Sequence, residues 1–153
     1  MPNFHLNEEL GDELDDDLYD EICEIGEDGN VLMDDEKYRA ALSKFEAALD
    51  LLPEPKTKWE AYTWLKASTG DALFFLKQYA ESKEELFDAM NGPDGEFNPF
   101  VLMRLGECFY ETGDHRAQEF LLRAYMLEGS ELFMDEDPKY YGLIEALVKS
   151  NRK

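Results

Sequence analysis

The chain has 153 residues, of which 36 are acidic and 15 basic, giving a formal charge of −21. Such a field repels nucleic acid and anionic membrane and so argues against a role on either. Cys23 and Cys108 are isolated thiols, so no disulfide framework is expected, and a chain of this length can bury roughly two-thirds of its unfolded surface without one.

The charge is uneven. Residues 1–36 hold fifteen Asp and Glu and no Lys or Arg, so that segment carries −15 and the remaining 117 residues carry −6. An acidic segment of this kind accelerates encounter with a basic partner, and the effect weakens with salt. The sequence starts without a basic stretch followed by an apolar one, and it contains no uninterrupted apolar run of membrane-spanning length. The expectation is a cytoplasmic protein with free, buried cysteines.

In chain order, residues 1–10 show no period, and residues 1–12 are expected to form a flexible acidic arm. Leu14, Leu18, Ile22 and Ile25 follow helical spacing, with Asp12, Asp15, Asp16 and Asp17 in the first turns, where carboxylates suit the helix dipole. This helix is predicted to run to Met33, weakened by Gly26 and Gly29. The stretch from Glu24 to Asp35 has the glycine of a calcium loop at its sixth place. However, Gly26 takes a ligand position and Asp35 stands where such a loop needs Glu, so no metal is expected.

From Glu36 to Pro53, the residues Tyr38, Ala41, Leu42, Phe45, Ala48, Leu49 and Leu52 recur at steps of three and four along one apolar stripe, and Pro53 ends the helix. A long helix is predicted from Thr57 to Leu76, with Trp59, Tyr62, Leu65, Ala72, Leu73 and Leu76 on its buried side. A shorter helix from Ala80 to Met90 presents Leu86, Ala89 and Met90. The turn-rich run over residues 91–99 is the longest break in helical pattern. Leu102, Leu105, Gly106 and Phe109 mark another helix that ends at Gly113 and Asp114. Ala117, Leu121 and Ala124 mark the helix after it. Pro138 opens a final amphipathic helix with Tyr141, Ile144, Leu147 and Val148 on one stripe and Lys149, Arg152 and Lys153 at its C-terminal end.

Tyr38, Ala41, Phe45, Ala48-Leu49 and Pro53 resemble, in order and spacing, the second helix of a tetratricopeptide repeat. The same register continues along the chain. Gly29 precedes Tyr38 by nine residues, Gly70 precedes Tyr79 by nine, and Leu105-Gly106, Phe109 and Gly113-Asp114 match the family's first helix and turn. The resemblance implies an all-α helical repeat array of three helix-turn-helix pairs with a capping helix: repeat 1 over residues 13–55, repeat 2 over 56–97, repeat 3 over 98–129 and the cap over 130–153. The interval from Tyr38 to Tyr79 exceeds the family period by seven residues, which is read as two extra helical turns. Ser82 replaces the usual alanine, and one residue must be dropped after Asp114 to align repeat 3.

The resemblance implies a protein-binding groove. Carried onto this sequence, the family's groove positions are Trp64, Ala67, Asp71, Phe74 and Phe75 in repeat 2, and Phe100, Met103, Glu107, Tyr110 and Glu111 in repeat 3. Repeat proteins that clamp a terminal carboxylate need Lys, Arg and Asn there, which these positions lack. Residues 98–141 further resemble small repeat proteins of bacterial polymorphic-toxin loci, thought to be immunity proteins. That resemblance implies a basic toxin domain, encoded next to this chain, as the partner. The alternative is an adaptor that binds a basic or amphipathic peptide. Expected partner contacts are Trp64, Asp71, Phe74, Glu107, Tyr110 and Glu111 in the groove, and Asp15, Asp16, Asp17 and Glu21 on the acidic first helix.

Catalysis is not expected. His5 lies in the arm and His115 in a turn, neither has a nucleophile or metal-ligand partner at motif spacing, and no hydrolase or phosphate-loop motif is present. No cofactor is expected.

Overall fold

The computed structural model describes residues 14–150, so the arm expected over residues 1–12 lies outside the described residues, as do Arg152 and Lys153. The described chain is all-α, with helices α1 (Asp16–Asp34), α2 (Tyr38–Asp50), α3 (Glu60–Phe75), α4 (Tyr79–Ala89), α5 (Pro99–Glu111), α6 (Ala117–Glu128) and α7 (Pro138–Ser150). Short 3-10 turns lie at Lys56–Lys58, Gly95–Phe97 and Ser130–Phe133, and no strand occurs among the described residues. The helices pack as pairs, α1 on α2, α3 on α4 and α5 on α6, and successive pairs stack into an array.

Sequence dictates the pairing through three glycines. A Cβ on Gly29 would overlap the Phe45 ring, one on Gly70 would overlap Leu86, and one on Gly106 would overlap Leu121. In each pair the first helix therefore presents a bare backbone patch to one large side chain of the second, which lets the axes approach closely. The large residue follows its glycine by 16 positions in the first two pairs and by 15 in the third. The residue missing from the third pair thus falls between Gly106 and Leu121, as the expected gap after Asp114 requires. Ser82, which breaks the alanine pattern, donates from Oγ to the Gly70 carbonyl at 2.6 Å and so ties the second pair together.

The turns repeat as well. Each first helix ends seven residues beyond its glycine in a left-handed residue, Glu36 (φ 60°), Lys77 (φ 63°) or Gly113 (φ 71°). In each turn the next amide reaches five residues back, Lys37 to Leu32, Gln78 to Leu73 and Asp114 to Phe109, all at 2.8–2.9 Å. This closes the last helical carbonyls and aims the chain back along its partner. At the opposite ends, Asp15 accepts from the Leu18 amide at 3.4 Å, and Asn98, followed by Pro99, accepts from the Val101 amide at 3.1 Å.

Three expectations change. The helix expected from Thr57 to Leu76 starts only at Glu60, because Trp59 is extended (ψ 137°) with its indole N–H committed to the Pro53 carbonyl at 2.8 Å. The seven extra residues are therefore not simply two helical turns. Lys56 crosses the same linker and caps α2, donating to the carbonyls of Leu49 (2.9 Å) and Leu52 (2.8 Å). Leu42 and Leu76 are only partly buried, at the margin of the packing rather than within it. On α7 the buried stripe is Tyr140, Ile144 and Val148, and Leu147 faces outward.

Two apolar clusters form the core. One joins α1 and α2 to α3 around Ile22, Phe45, Trp64 and Leu65; the other joins α4 to α7, with Ala67 and Phe74 of α3, around Leu86, Leu102, Phe109 and Leu121. Helix α3 serves both, with thirteen of its sixteen residues buried. Among the described residues no helix is long and apolar enough to cross a membrane.

Candidate functional site

The expected groove positions lie on α3 and α5, the two helices at the centre of the array, and their neighbours fill most of that groove. Trp64 is only 6% exposed. Its ring occupies the space left by Gly26, where any Cβ would overlap it, and meets the Phe45 ring edge-on at 6.5 Å. Gly26, which weakens α1 as a helix, is thus the socket for an aromatic ring from the next pair. Ala67 and Met103 are buried too.

Asp71 and Glu107, expected as exposed groove acids, instead surround a buried guanidinium. Arg104 lies 2.8 Å from Asp71, 2.5 Å from Glu107 and 2.6 Å from Glu136, which comes from the segment before α7. The Asp71 contact is an ion pair rather than an aligned hydrogen bond. Phe74, Phe75 and Phe100 enclose the guanidinium, with ring centroids 4.5, 5.2 and 5.0 Å away. One cation thus faces three carboxylates in a dry environment, where like charges and desolvation both favour a neutral acid. Burial, with Glu136 adding to it against the pull of Arg104, pushes Glu107 up to about 9, so it holds its proton at neutral pH. Burial also raises Asp71 against the opposing pull of Arg104. Burial alone would lower Arg104, but Asp71, Glu107 and Glu136 together drive it well above its usual value. The sequence offers one signal for this cluster: a single Arg with Glu at i+3 inside the otherwise apolar run of α5.

The rim of the groove remains open. Tyr110 is 37% and Phe75 43% exposed. Phe75 stacks on Tyr38 at 5.0 Å, and Tyr110 sits edge-on to Tyr140 at 5.4 Å. Glu111 accepts from the Tyr140 hydroxyl at 2.6 Å and pairs with Lys139 at 2.8 Å, so it clasps the start of α7. These two hydrogen bonds hold its carboxyl below the usual range despite partial burial. Phe74 is buried against Tyr79 and Arg104.

The acidic positions of the first helix have the opposite character. Asp15, Asp16, Asp17 and Glu21 are exposed, as are Asp20, Glu24, Glu27, Asp28 and Asp34 farther along. Helix α1 itself has eight carboxylates and no base, and Lys44 on α2 approaches Asp28 only at 4.0 Å. The buried side of the helix is Ile22, Gly26, Gly29 and Met33. The carboxylates therefore form one continuous solvent-facing surface at the end of the array.

Other reactive groups lie elsewhere. Cys108 is buried, its thiol pushed up to about 11 by burial, and it donates to Ser82 Oγ at 3.3 Å; Cys23 is partly buried. His115 is exposed in the turn beside Asp114. An open cleft of about 670 Å³ runs between α2, the 54–57 linker and α4, with Lys66 on its wall bound to Glu85 at 2.5 Å and Asp88 at 3.2 Å. Among the described residues no group of three or more His, Cys, Asp and Glu is placed to hold a metal ion. No family model matches the sequence, and no curated protein matches it.

Proposed function

We propose that this chain is a tetratricopeptide-type protein-binding module that acts as an antagonist. It binds a basic toxin domain encoded beside it, in the cytoplasm, and covers that domain's active or binding surface. The observation that carries this reading is the α1 surface: eight carboxylates, all exposed, none matched by a base on the same helix. Fixed on a rigid helix, they present a directed negative field, which steers a cationic protein surface into contact and selects against acidic ones. The open aromatic rim at Phe75 and Tyr110 supplies apolar area of the kind that holds a complex after encounter. The repeated glycine register and helix-ending turns support the repeat assignment.

The filled groove disfavours the adaptor alternative. Trp64, Asp71, Phe74, Arg104 and Glu107 occupy the space an extended peptide would need, so a peptide would have to displace core side chains. The deciding experiment is a binding measurement against the purified product of the neighbouring gene. Tight one-to-one binding that weakens with salt and abolishes the partner's activity is expected. Weak binding to many short basic peptides with no inhibition would replace the antagonist by the adaptor.

A further inference from the structure

We propose that the cleft between α2, the 54–57 linker and α4 binds an organic cation, an alkylammonium or guanidinium group carried on an apolar stem. The linker forms one wall, and its own contacts hold it in place. Lys56 donates to the Leu49 and Leu52 carbonyls, and the Trp59 indole donates to the Pro53 carbonyl, so the wall is set before any ligand arrives. The cleft measures about 670 Å³, within the roughly 300–1,000 Å³ typical of ligand sites, and Leu49, Pro55 and Tyr62 give it apolar surface for a stem.

Tyr62 is the residue that points to a ligand. It lines the cleft and is only 8% exposed, yet its hydroxyl makes no hydrogen bond among the described residues, whereas a buried phenol normally has a partner. Burial first, and then Asp88, raise this hydroxyl above its usual value, so it stays protonated; Lys66 and Glu85 also act on it, which places it against the charged wall of the cleft.

Charge selects the occupant. Glu46, Asp50 and Glu54 line the cleft without an ion-pair partner among the described residues, and Glu54 receives only the Lys56 amide at 3.4 Å. Both lysines of the cleft are committed: Lys56 to backbone carbonyls, and Lys66 to Glu85 at 2.5 Å and Asp88 at 3.2 Å, a set that is itself net negative. The other bases of the same stretch, Lys37, Arg39, Lys44 and Lys58, do not line it; Lys44 leans toward Asp28 at 4.0 Å, and Lys58 lies 4.6 Å over the Trp59 ring. The free polar groups are therefore acceptors. An anion would meet three unpaired carboxylates, and a wholly apolar ligand would cover them without a partner, whereas a cation with several N–H groups satisfies them. A free polyamine and a Lys or Arg side chain of a protein share this chemistry. The site involves no residue of α1 and does not depend on the antagonist reading.

Amide NMR of the full chain at moderate salt, titrated with spermidine and separately with N-acetyl-arginine amide, tests the proposal. Shifts confined to the cleft are expected with a Kd of about 1 mM or tighter for at least one of them. Tighter binding of spermidine names a free polyamine as the source, and tighter binding of the arginine compound names a protein side chain. The citrulline analogue of that compound has the shape without the charge and should not bind. Glu46→Gln, Asp50→Asn and Glu54→Gln together should weaken the cation by about tenfold or more, and Tyr62→Phe, which removes a hydroxyl the fold does not use, by about fivefold. Changing the remote, exposed Glu119, Glu128 and Glu131 to Gln removes as much charge and should leave the Kd unaltered. No cleft-localised shift, equal binding of the citrulline compound, or unchanged affinity in either cleft variant overturns the proposal. So does an equal loss in the remote variant, because net charge alone then attracts the cation.

Discussion

Arg104 on α5 and Asp71 on α3 meet at 2.8 Å with their side chains 4% and 2% exposed, so adjacent pairs of the array are joined by a buried ion pair as well as by apolar packing. Such a pair yields little net stability relative to apolar residues of the same volume, because both ions lose their hydration. Removing one partner is different, since it strands the other charge.

Arg104→Ala is therefore expected to cost about 3–5 kcal/mol, more than loss of packing area on an exposed helix would. Urea unfolding read by circular dichroism measures it. A loss under about 1 kcal/mol would mean that Asp71 and Glu136 relax into water without their cation.

Glu107 makes stability depend on pH. Its folded-state value of about 9 lies above the ordinary 4.5, so between those values the native chain holds one proton that the unfolded chain releases. That contribution is fully present below about 4.5, falls as pH rises through the window, and is gone above about 9. Glu107→Gln keeps the shape without the ionisation. The stability difference between variant and wild type should thus grow in favour of the variant from pH 5 to pH 9. Parallel pH profiles for the two proteins would place Glu107 in a wetter setting than its burial indicates.

Much of the fold was legible because it rests on spacing. Gly29, Gly70 and Gly106 could be placed by register alone, and the side chains they receive, Phe45, Leu86 and Leu121, fell on the expected stripes. The groove was less legible, because periodicity tells which way Trp64 and Asp71 point but not whether a neighbouring helix fills the space. Gly26 shows why: alone it reads as a helix-weakening residue, and its role as the seat of Trp64 depends on a residue 38 positions away. Arg104 is similar. A lone base in an apolar helix signals a buried partner, but Asp71 and Glu136 arrive from other elements.

Trp64→Ala should accordingly destabilise the isolated chain by about 3–5 kcal/mol, since it empties the socket over Gly26 beside Phe45. Phe45→Ala, which vacates the fully buried position against Gly29, should cost about the same. Thermal unfolding without any partner is the measurement. A Trp64 variant as stable as wild type would return this ring to the contact surface.

The helix-ending turns predict stabilising changes. Glu36 and Lys77 occupy left-handed conformations that cost an ordinary residue about 1 kcal/mol or more, while the equivalent place in the third pair is Gly113. Glu36→Gly and Lys77→Gly are each expected to gain up to about 1 kcal/mol, a rise in Tm of about 2–4 °C for a chain of this size. Gly113→Ala should lose a similar amount. No gain at either position would show that the Glu36 or Lys77 side chain makes compensating contacts.

The acidic surface of α1 and the aromatic rim should separate kinetically in the proposed complex. Changing Asp15, Asp16, Asp17 and Glu21 to their amides removes four of the exposed carboxylates and leaves the buried side of α1, Ile22, Gly26, Gly29 and Met33, untouched. Asn at position 15 still accepts from the Leu18 amide, so the cap survives, and only the dipole contribution of the first turn, about 0.3–1 kcal/mol, is lost. The variant should remain folded yet associate more slowly with the neighbouring-gene product, with a flatter dependence of on-rate on salt. Tyr110→Ala should instead leave the on-rate alone and speed dissociation, because a ring that loses its water on contact acts after encounter; a central aromatic can be worth 2 kcal/mol or more, roughly thirtyfold in affinity. Stopped-flow association and surface-based dissociation at two salt concentrations resolve the two effects. If the amide variant associates as fast as wild type at low salt, the charge on α1 serves solubility alone, and the directed-field part of the proposed function is wrong.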